Sequence, residues 1–285
     1  MNQHPPVIHA CGLTRSFRKK EVLGGVELDV TAGGIHALLG RNGVGKSTLL
    51  RVIAGQLKPT GGGVEVFGLP PFDNAAVMDR VSYTGVDVAY PSSWKLGNVL
   101  RAAAMRYPGW QQPLADELTG DFGLAPDLET AYGSLSRGQR AMTGIIVGLA
   151  SGAELTLLDE PYVGLDTHNT DVFYRHLLEQ GATGRTIIMA THHIEDAAKI
   201  LDTAIILGRD GRVAQHIAAD DADNYLVAAG QFDELEGAIA YRRSPHATKA
   251  LIHRSRAAAE SALPPAIRIS PADLGDVIEA YLEVS

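Results

Sequence analysis

The chain has a single cysteine, Cys11, so no internal disulfide framework can form, and that usage fits a reducing compartment. Cys11 itself reads as an inert packing residue. Long apolar runs are missing too. The best, GIIVGLA at 144–150, falls far short of the roughly 20 residues a membrane-spanning helix needs. The opening residues, MNQHPPVIHACG, lack a charged start followed by an apolar core, so no secretory leader is expected. A basic surplus is also absent: the formal net charge is -8. This argues against nucleic acid as a partner, because a polyanion calls for clustered positive charge. Internal repeats, low-complexity segments and heptad runs are lacking as well. What remains is expected to be a soluble globular chain of 285 residues, 45% hydrophobic, with enough apolar content for a sizeable core.

Glycine, by contrast, is concentrated where it costs local stability. In ALLGRNGVGKSTLLRVIAG, Ala37 to Gly55, an apolar strand-like run leads into Gly40, Arg41, Asn42, Gly43, Val44, Gly45, Lys46, Ser47 and Thr48. Leu49, Leu50, Val52 and Ile53 then recur at helical spacing. A strand, a Gly-x4-Gly-Lys-Ser loop and a helix together make an anion cradle from consecutive backbone N–H groups and the helix N-terminus. Lys46 is expected to reach the terminal phosphates of a nucleotide and Ser47 to ligate Mg²⁺, while Gly43 and Gly45 let the backbone wrap the anion. Such a loop needs a second metal ligand at the end of a buried strand. The segment Leu155 to Pro161, LTLLDEP, supplies two carboxylates there. Successive strand residues face opposite ways, so their roles differ. Asp159 is the candidate for the metal shell, and Glu160 is the candidate base for an attacking water.

Between these segments stands Leu135-Ser136-Arg137-Gly138-Gln139, ahead of an apolar helical stretch. With it the chain resembles the ATP-binding cassette (ABC) ATPases, whose signature is Leu-Ser-Gly-Gly-Gln; arginine stands here at the third position. The resemblance implies that Ser136, Arg137, Gly138 and Gln139 act in trans, on the γ-phosphate held by the opposite subunit. It places Asp166, in Gly164-Leu165-Asp166, along a dimer seam. It makes His192, delivered by the apolar run TIIMATHH, the residue that contacts the γ-phosphate, and leaves His193 as surface. It gives Phe17 the role of stacking on adenine. Where the family has a glutamine, this chain has Val86, and Asp87 is expected to supply the missing polar contact.

The order of motifs predicts an α/β fold: a phosphate-loop sheet core split by an inserted helical subdomain. Residues 1–220 should form the ATPase domain, with the helical subdomain at about 86–150, and residues 221–285 a C-terminal accessory segment. Strands are expected in VIHACGL, VELDV, GGGVEVFG, LTLLDE, TIIMATH and TAIILGRDGRVAQ. In the accessory segment, Ser270 reads as a helix N-cap with Pro271 at the first helical position. The stretch Tyr241 to Arg256 carries five Arg or Lys and no acid, and reads as a solvated helix face. The resemblance implies an ATP- and Mg²⁺-dependent hydrolase. It would work as a homodimer or heterodimer that powers a separate membrane permease, cytoplasmic and peripheral on the inner face of the membrane. A soluble cassette ATPase acting on ribosomes or DNA is the alternative. Such chains carry two cassettes or long coiled coils, and neither is seen here.

Overall fold

The computed structural model describes residues 5–85, 88–192, 197–244, 247–256 and 267–284. Its first strands, β1 (Ile8–Phe17) and β2 (Lys20–Val30), pair antiparallel. After β3 (Gly34–Leu39) and α1 (Lys46–Ile53), β4 (Gly61–Val66) returns to the other edge of β1, giving a three-stranded sheet in the order β2-β1-β4. Cys11 lies on β1 with its side chain exposed, so the expectation of a packed cysteine is corrected. The reason is the strand period: Ile8 and Ala10 face the core, and the residues alternating with them face solvent.

The short α2 (Ala75–Met78) leads to β5 (Val81–Gly85). Helices α3 (Leu96–Arg106), α4 (Gln112–Asp121) and α5 (Arg137–Ala150) then interrupt the strands. The α/β pattern resumes with β6 (Leu155–Asp159), α6 (Thr167–Gly181), β7 (Thr186–Thr191), β8 (Thr203–Leu207) and β9 (Val213–Ala218). These strands form a six-stranded sheet in the order β5-β6-β7-β3-β8-β9, parallel except for the antiparallel β8–β9 pair. The run expected as strand in TAIILGRDGRVAQ is therefore a hairpin, turning at Gly211 with φ 71°.

Both faces of this sheet are covered, as its continuous apolar strands require. Ile35, Ala37 and Leu39 of β3 face the helical side together with Ile187 and Met189, whereas Leu38, Ile188 and Ala190 face α1 and the antiparallel sheet. Helix α5 is buried from Ala141 to Ala150 without a break. A helix buried along its length needs its terminal carbonyls satisfied inside the protein. Arg185 does this, donating to the carbonyls of Leu149 at 2.6 Å, Ala153 at 3.1 Å and Gly148 at 3.3 Å, and to Thr156 Oγ1 at 2.7 Å. Burial lowers its pKa to about 10. The helical insertion is also tied to α6, because Asp121 meets His176 Nε2 at 2.8 Å and accepts from Arg175 Nη2 at 2.6 Å.

The C-terminal residues build a further antiparallel sheet from β10 (Tyr225–Gly230), β11 (Ala238–Arg243), β12 (Thr248–His253) and β13 (Arg268–Pro271), in the order β11-β12-β10-β13, followed by α7 (Leu274–Val284). Val277 and Ile278 of α7 join the same core as Leu201 and Ile206, so this sheet is docked through shared apolar packing. Two expectations are corrected here. The basic stretch 241–256 is not a helix face but largely the β11–β12 pair, with Arg242 paired to Glu279 and Lys249 Nζ 3.7 Å from Asp276 of α7. Ser270 and Pro271 lie in strand β13, paired with Val227 and Leu226, and Asp273 caps α7 by accepting from the Asp276 N–H at 2.7 Å. A strand partner for 268–271 and a second acidic capping pair three residues on outweigh the Ser-Pro signal.

Candidate functional site

The strand–loop–helix prediction places the phosphate loop where β3 ends and α1 begins. Gly45 has φ 121°, and a Cβ there would lie 3.1 Å from the Val22 carbonyl oxygen, so both backbone angle and space require glycine. Lys46 is buried at 6% exposure, held by hydrogen bonds to the carbonyls of Gly40 at 2.8 Å and Arg41 at 3.5 Å. A buried ammonium needs such partners. Its Nζ also lies 3.5 Å from Glu160 Oε1.

Parallel pairing of β6 with β7 and of β7 with β3 brings three strand ends to this loop. Ser47 Oγ donates to Asp159 Oδ1 at 3.0 Å, and the Tyr83 hydroxyl, from β5, donates to Asp159 Oδ2 at 3.0 Å. Next along the chain, Glu160 has φ 50°, a left-handed conformation that a non-glycine residue adopts at a cost. Its carboxylate is 2.8 Å from His192 Nδ1. A carboxylate only accepts, so Nδ1 carries the hydrogen. The strained residue, the cation and the imidazole converge on one spot, an arrangement typical of functional sites.

Two adjoining clefts share Asn42, Ser47 and Glu160. One, of ≈ 380 Å³, is lined by Val22, Gly43, Gly45, Lys46 and Thr48 as well; the other, of ≈ 240 Å³, also by Asp159, Val163, His192 and Arg137. A larger cavity of ≈ 560 Å³ lies at the opposite end of the sheet, beside Arg80, Glu154 and Arg185. Arg80 is paired with Glu154 and Arg185 is spent on carbonyls, so the smaller clefts have the better equipment for binding an anion.

Of the residues singled out from sequence, Lys46, Ser47, Asp159, Glu160 and His192 come together. Phe17 stands apart at the end of β1, 42% exposed, with the Arg15 guanidinium 4.6 Å from its ring centre; that excludes a core aromatic. Ser136 caps α5, accepting from the Gln139 N–H at 3.1 Å, while Gln139 Oε1 accepts from the Ser136 N–H at 2.9 Å. The Gln139 side chain also donates to Asp127 at 2.8 Å. Gly138 is pressed against Gly164, whose carbonyl oxygen would lie 2.5 Å from any Cβ. Asp166 caps α6, accepting from the Asn169 N–H at 2.8 Å. Arg137, expected to act only in trans, lines its own chain's cleft. Val86, Asp87 and His193 lie outside the described residues. Sequence reasoning missed Tyr83, although a tyrosine on the strand beside the one carrying Asp159 was the available signal.

Comparison with known proteins agrees with this geometry. Residues 23–163 match the ABC transporter family. The aliphatic sulfonates import ATP-binding protein SsuB of Pseudomonas putida is 32% identical over 211 residues, 73% of this chain and 75% of that protein. The arabinose import ATP-binding protein AraG 1 of Burkholderia cenocepacia is 31% identical over 223 residues, 75% of this chain and 44% of that protein. The chain thus spans less than half the length of the sugar-import relatives it matches. Among solved structures, an ATP-binding subunit of an ABC transporter superposes with a TM-score of 0.68 at 27% identity, covering 76% of this chain and 91% of that one. CbiO1 of Clostridium perfringens gives 0.59 at 25% identity, covering 75% and 88%. With the phosphate loop, the paired strand-end carboxylates and the capped signature helix all in place, the chain belongs to the ABC transporter family of ATP-binding proteins.

Proposed function

We propose that this chain is the ATP-binding and ATP-hydrolysing subunit of a transporter, working as a dimer with a second copy or a sister chain and driving a separate membrane permease. Residues 1–220 form the ATPase domain in this reading, and residues 221–285 an accessory segment. Among the described residues no helix is long and apolar enough to cross a membrane, which is consistent with a permease supplied by another chain. The observation that carries the reading is the convergence of Lys46, Ser47, Asp159, Glu160 and His192 at three adjacent strand ends.

Lys46 and the loop N–H groups hold the phosphates; Phe17, partly exposed at the end of β1, stacks on adenine. Ser47 Oγ and Asp159 Oδ1, 3.0 Å apart, have the spacing of neighbouring oxygens around an octahedral Mg²⁺ with metal–oxygen distances of about 2.1 Å. When bound there, Mg²⁺ offsets the charge on the β- and γ-phosphates. Glu160 accepts the proton of the attacking water, and His192, bonded to its Oε2, fixes the carboxylate's orientation. Ser136 and Gly138 line neither cleft of their own chain, which supports a role across a dimer.

The test is Glu160→Gln on the purified chain. Hydrolysis should fall by about 10²–10⁴-fold, the range for removing a general base, while ATP binding persists and ATP promotes dimers. Lys46→Ala should weaken nucleotide binding itself. Hydrolysis equal to wild type in the Glu160→Gln protein would overturn the assignment. Recovery from cells with ribosomes, and never with a membrane protein, would sink the transport reading.

A further inference from the structure

Ser136 and Gln139 complete the cap of α5 between themselves, so Arg137 has no part in it. A cation in the first turn of a helix also sits at the wrong end of the helix dipole. Its stem passes over Gly164, where a Cβ would be 3.4 Å from Arg137 Cγ, and the residue lines the ≈ 240 Å³ cleft with Asn42, Ser47, Asp159, Glu160 and His192. Arg140, three residues on, is tied to the Gly133 carbonyl at 2.7 Å and lies over the Tyr132 ring. Arg137 is exposed, and among the described residues no hydrogen bond or ion pair holds it.

We propose that Arg137 serves the nucleotide site of its own chain, its guanidinium binding the terminal phosphate of the ATP held by Lys46 and Ser47. This rests on the ATP-binding reading above. The cleft it lines contains the metal-side carboxylate of Asp159, the Glu160 carboxylate that would face the attacking water and the His192 imidazole, so it is the end of the site where a γ-phosphate would lie. A guanidinium presents a planar fork of N–H donors that matches phosphate oxygens. The family's glycine at this position has no side chain to do so. The signature segment of this chain would then act on two sites: through Ser136 and Gly138 across the dimer, and through Arg137 at home.

The experiment measures binding of Mg²⁺-ADP and of a non-hydrolysable Mg²⁺-ATP analogue to the full chain. It is run at concentrations where light scattering shows a monomer. Arg137→Ala should weaken the analogue about tenfold, as expected for one charge-assisted contact, and change ADP by less than about twofold. Arg137→Lys should recover part of the loss. Analogue binding to the monomer unchanged by Arg137→Ala, with only ATP-dependent dimerisation impaired, would overturn the proposal in favour of action in trans. Equal loss of both nucleotides would overturn it as well. A wild-type chain that binds neither nucleotide would remove the ATP-binding reading together with this proposal, an outcome distinct from failure of Arg137 alone.

Discussion

His192 Nδ1 lies 2.8 Å from Glu160 Oε2, joining the residues that follow the ends of two adjacent parallel strands, β6 and β7. Glu160 is held by this bond on one oxygen and faces Lys46 Nζ at 3.5 Å with the other. The carboxylate therefore cannot turn without breaking a contact. His192→Ala should lower kcat by about 10²-fold while leaving KM for ATP within a few-fold, because orientation of the base matters in the transition state more than in binding. Steady-state kinetics at saturating Mg²⁺ check this. A large rise in KM with kcat unchanged would assign His192 to ground-state binding.

Tyr83 positions Asp159 through a 3.0 Å hydrogen bond from its hydroxyl. Partners of metal-ligating carboxylates usually govern affinity by about 10–100-fold. Tyr83→Phe keeps the ring and removes only the hydroxyl. Its Mg²⁺ titration of ATPase activity should shift to roughly tenfold higher metal, with the fold and thermal midpoint nearly unchanged. An unshifted titration would leave Tyr83 as a packing residue.

Arg185 offers a test of stability separated from activity. Removing its guanidinium leaves the carbonyls of Gly148, Leu149 and Ala153 short of donors in the core. Arg185→Met preserves the apolar stem and should cost about 3 kcal/mol, measured as a lower urea midpoint. Arg185 immediately precedes β7, and His192 immediately follows it, about 20 Å away along six extended residues. Nucleotide affinity of the folded fraction should therefore not change.

Acid sensitivity should come in part from His36, which is 2% exposed. Its Nε2 donates to the Gly33 carbonyl at 2.9 Å and its Nδ1 accepts from Thr203 Oγ1 at 2.8 Å, which describes a neutral ring. Burial pushes its pKa below the usual 6.5, against the opposing pull of the Gly33 carbonyl, and His216 adds to the lowering. The unfolded chain then takes up a proton that the folded chain refuses. Stability is complete above pH 6.5 and is lost as pH falls from there through the lower folded value. His36→Gln should flatten part of this acid limb in a plot of urea midpoint against pH. A limb of unchanged slope would place the titration elsewhere, with His216 next in line.

The nucleotide half of the molecule was legible because its signals are local. The loop, its flanking strand and the helical spacing of Leu49, Leu50, Val52 and Ile53 lie within twenty residues, and LTLLDE announces a buried strand by composition alone. What stayed hidden depends on pairing between distant residues. β12 has Ala250, Leu251 and Ile252 all buried, so its period of two is masked, and the charges of β11 and β12 read as a helix face until Glu279 and Asp276 of α7 are seen to receive Arg242 of β11 and Lys249 of β12. Nothing in the sequence around Arg185, a charged residue in the loop ahead of β7, signals burial. Its burial follows from the end of a helix more than thirty residues earlier. The reach of Arg137 into its own chain's cleft follows from the path of Val163 and Gly164, which no spacing rule encodes.

The hydrogen bond from Ser47 to Asp159 has a consequence for what must move during turnover. The two oxygens that would share a cation are already neighbours, kept so by a hydroxyl hydrogen. Arrival of the cation then needs one rotation about a Cβ–Oγ bond, with no travel of loop or strand. In the proposed reading, bringing these two oxygens to a cation would be a side-chain event on the picosecond-to-nanosecond scale, with no backbone step to wait for.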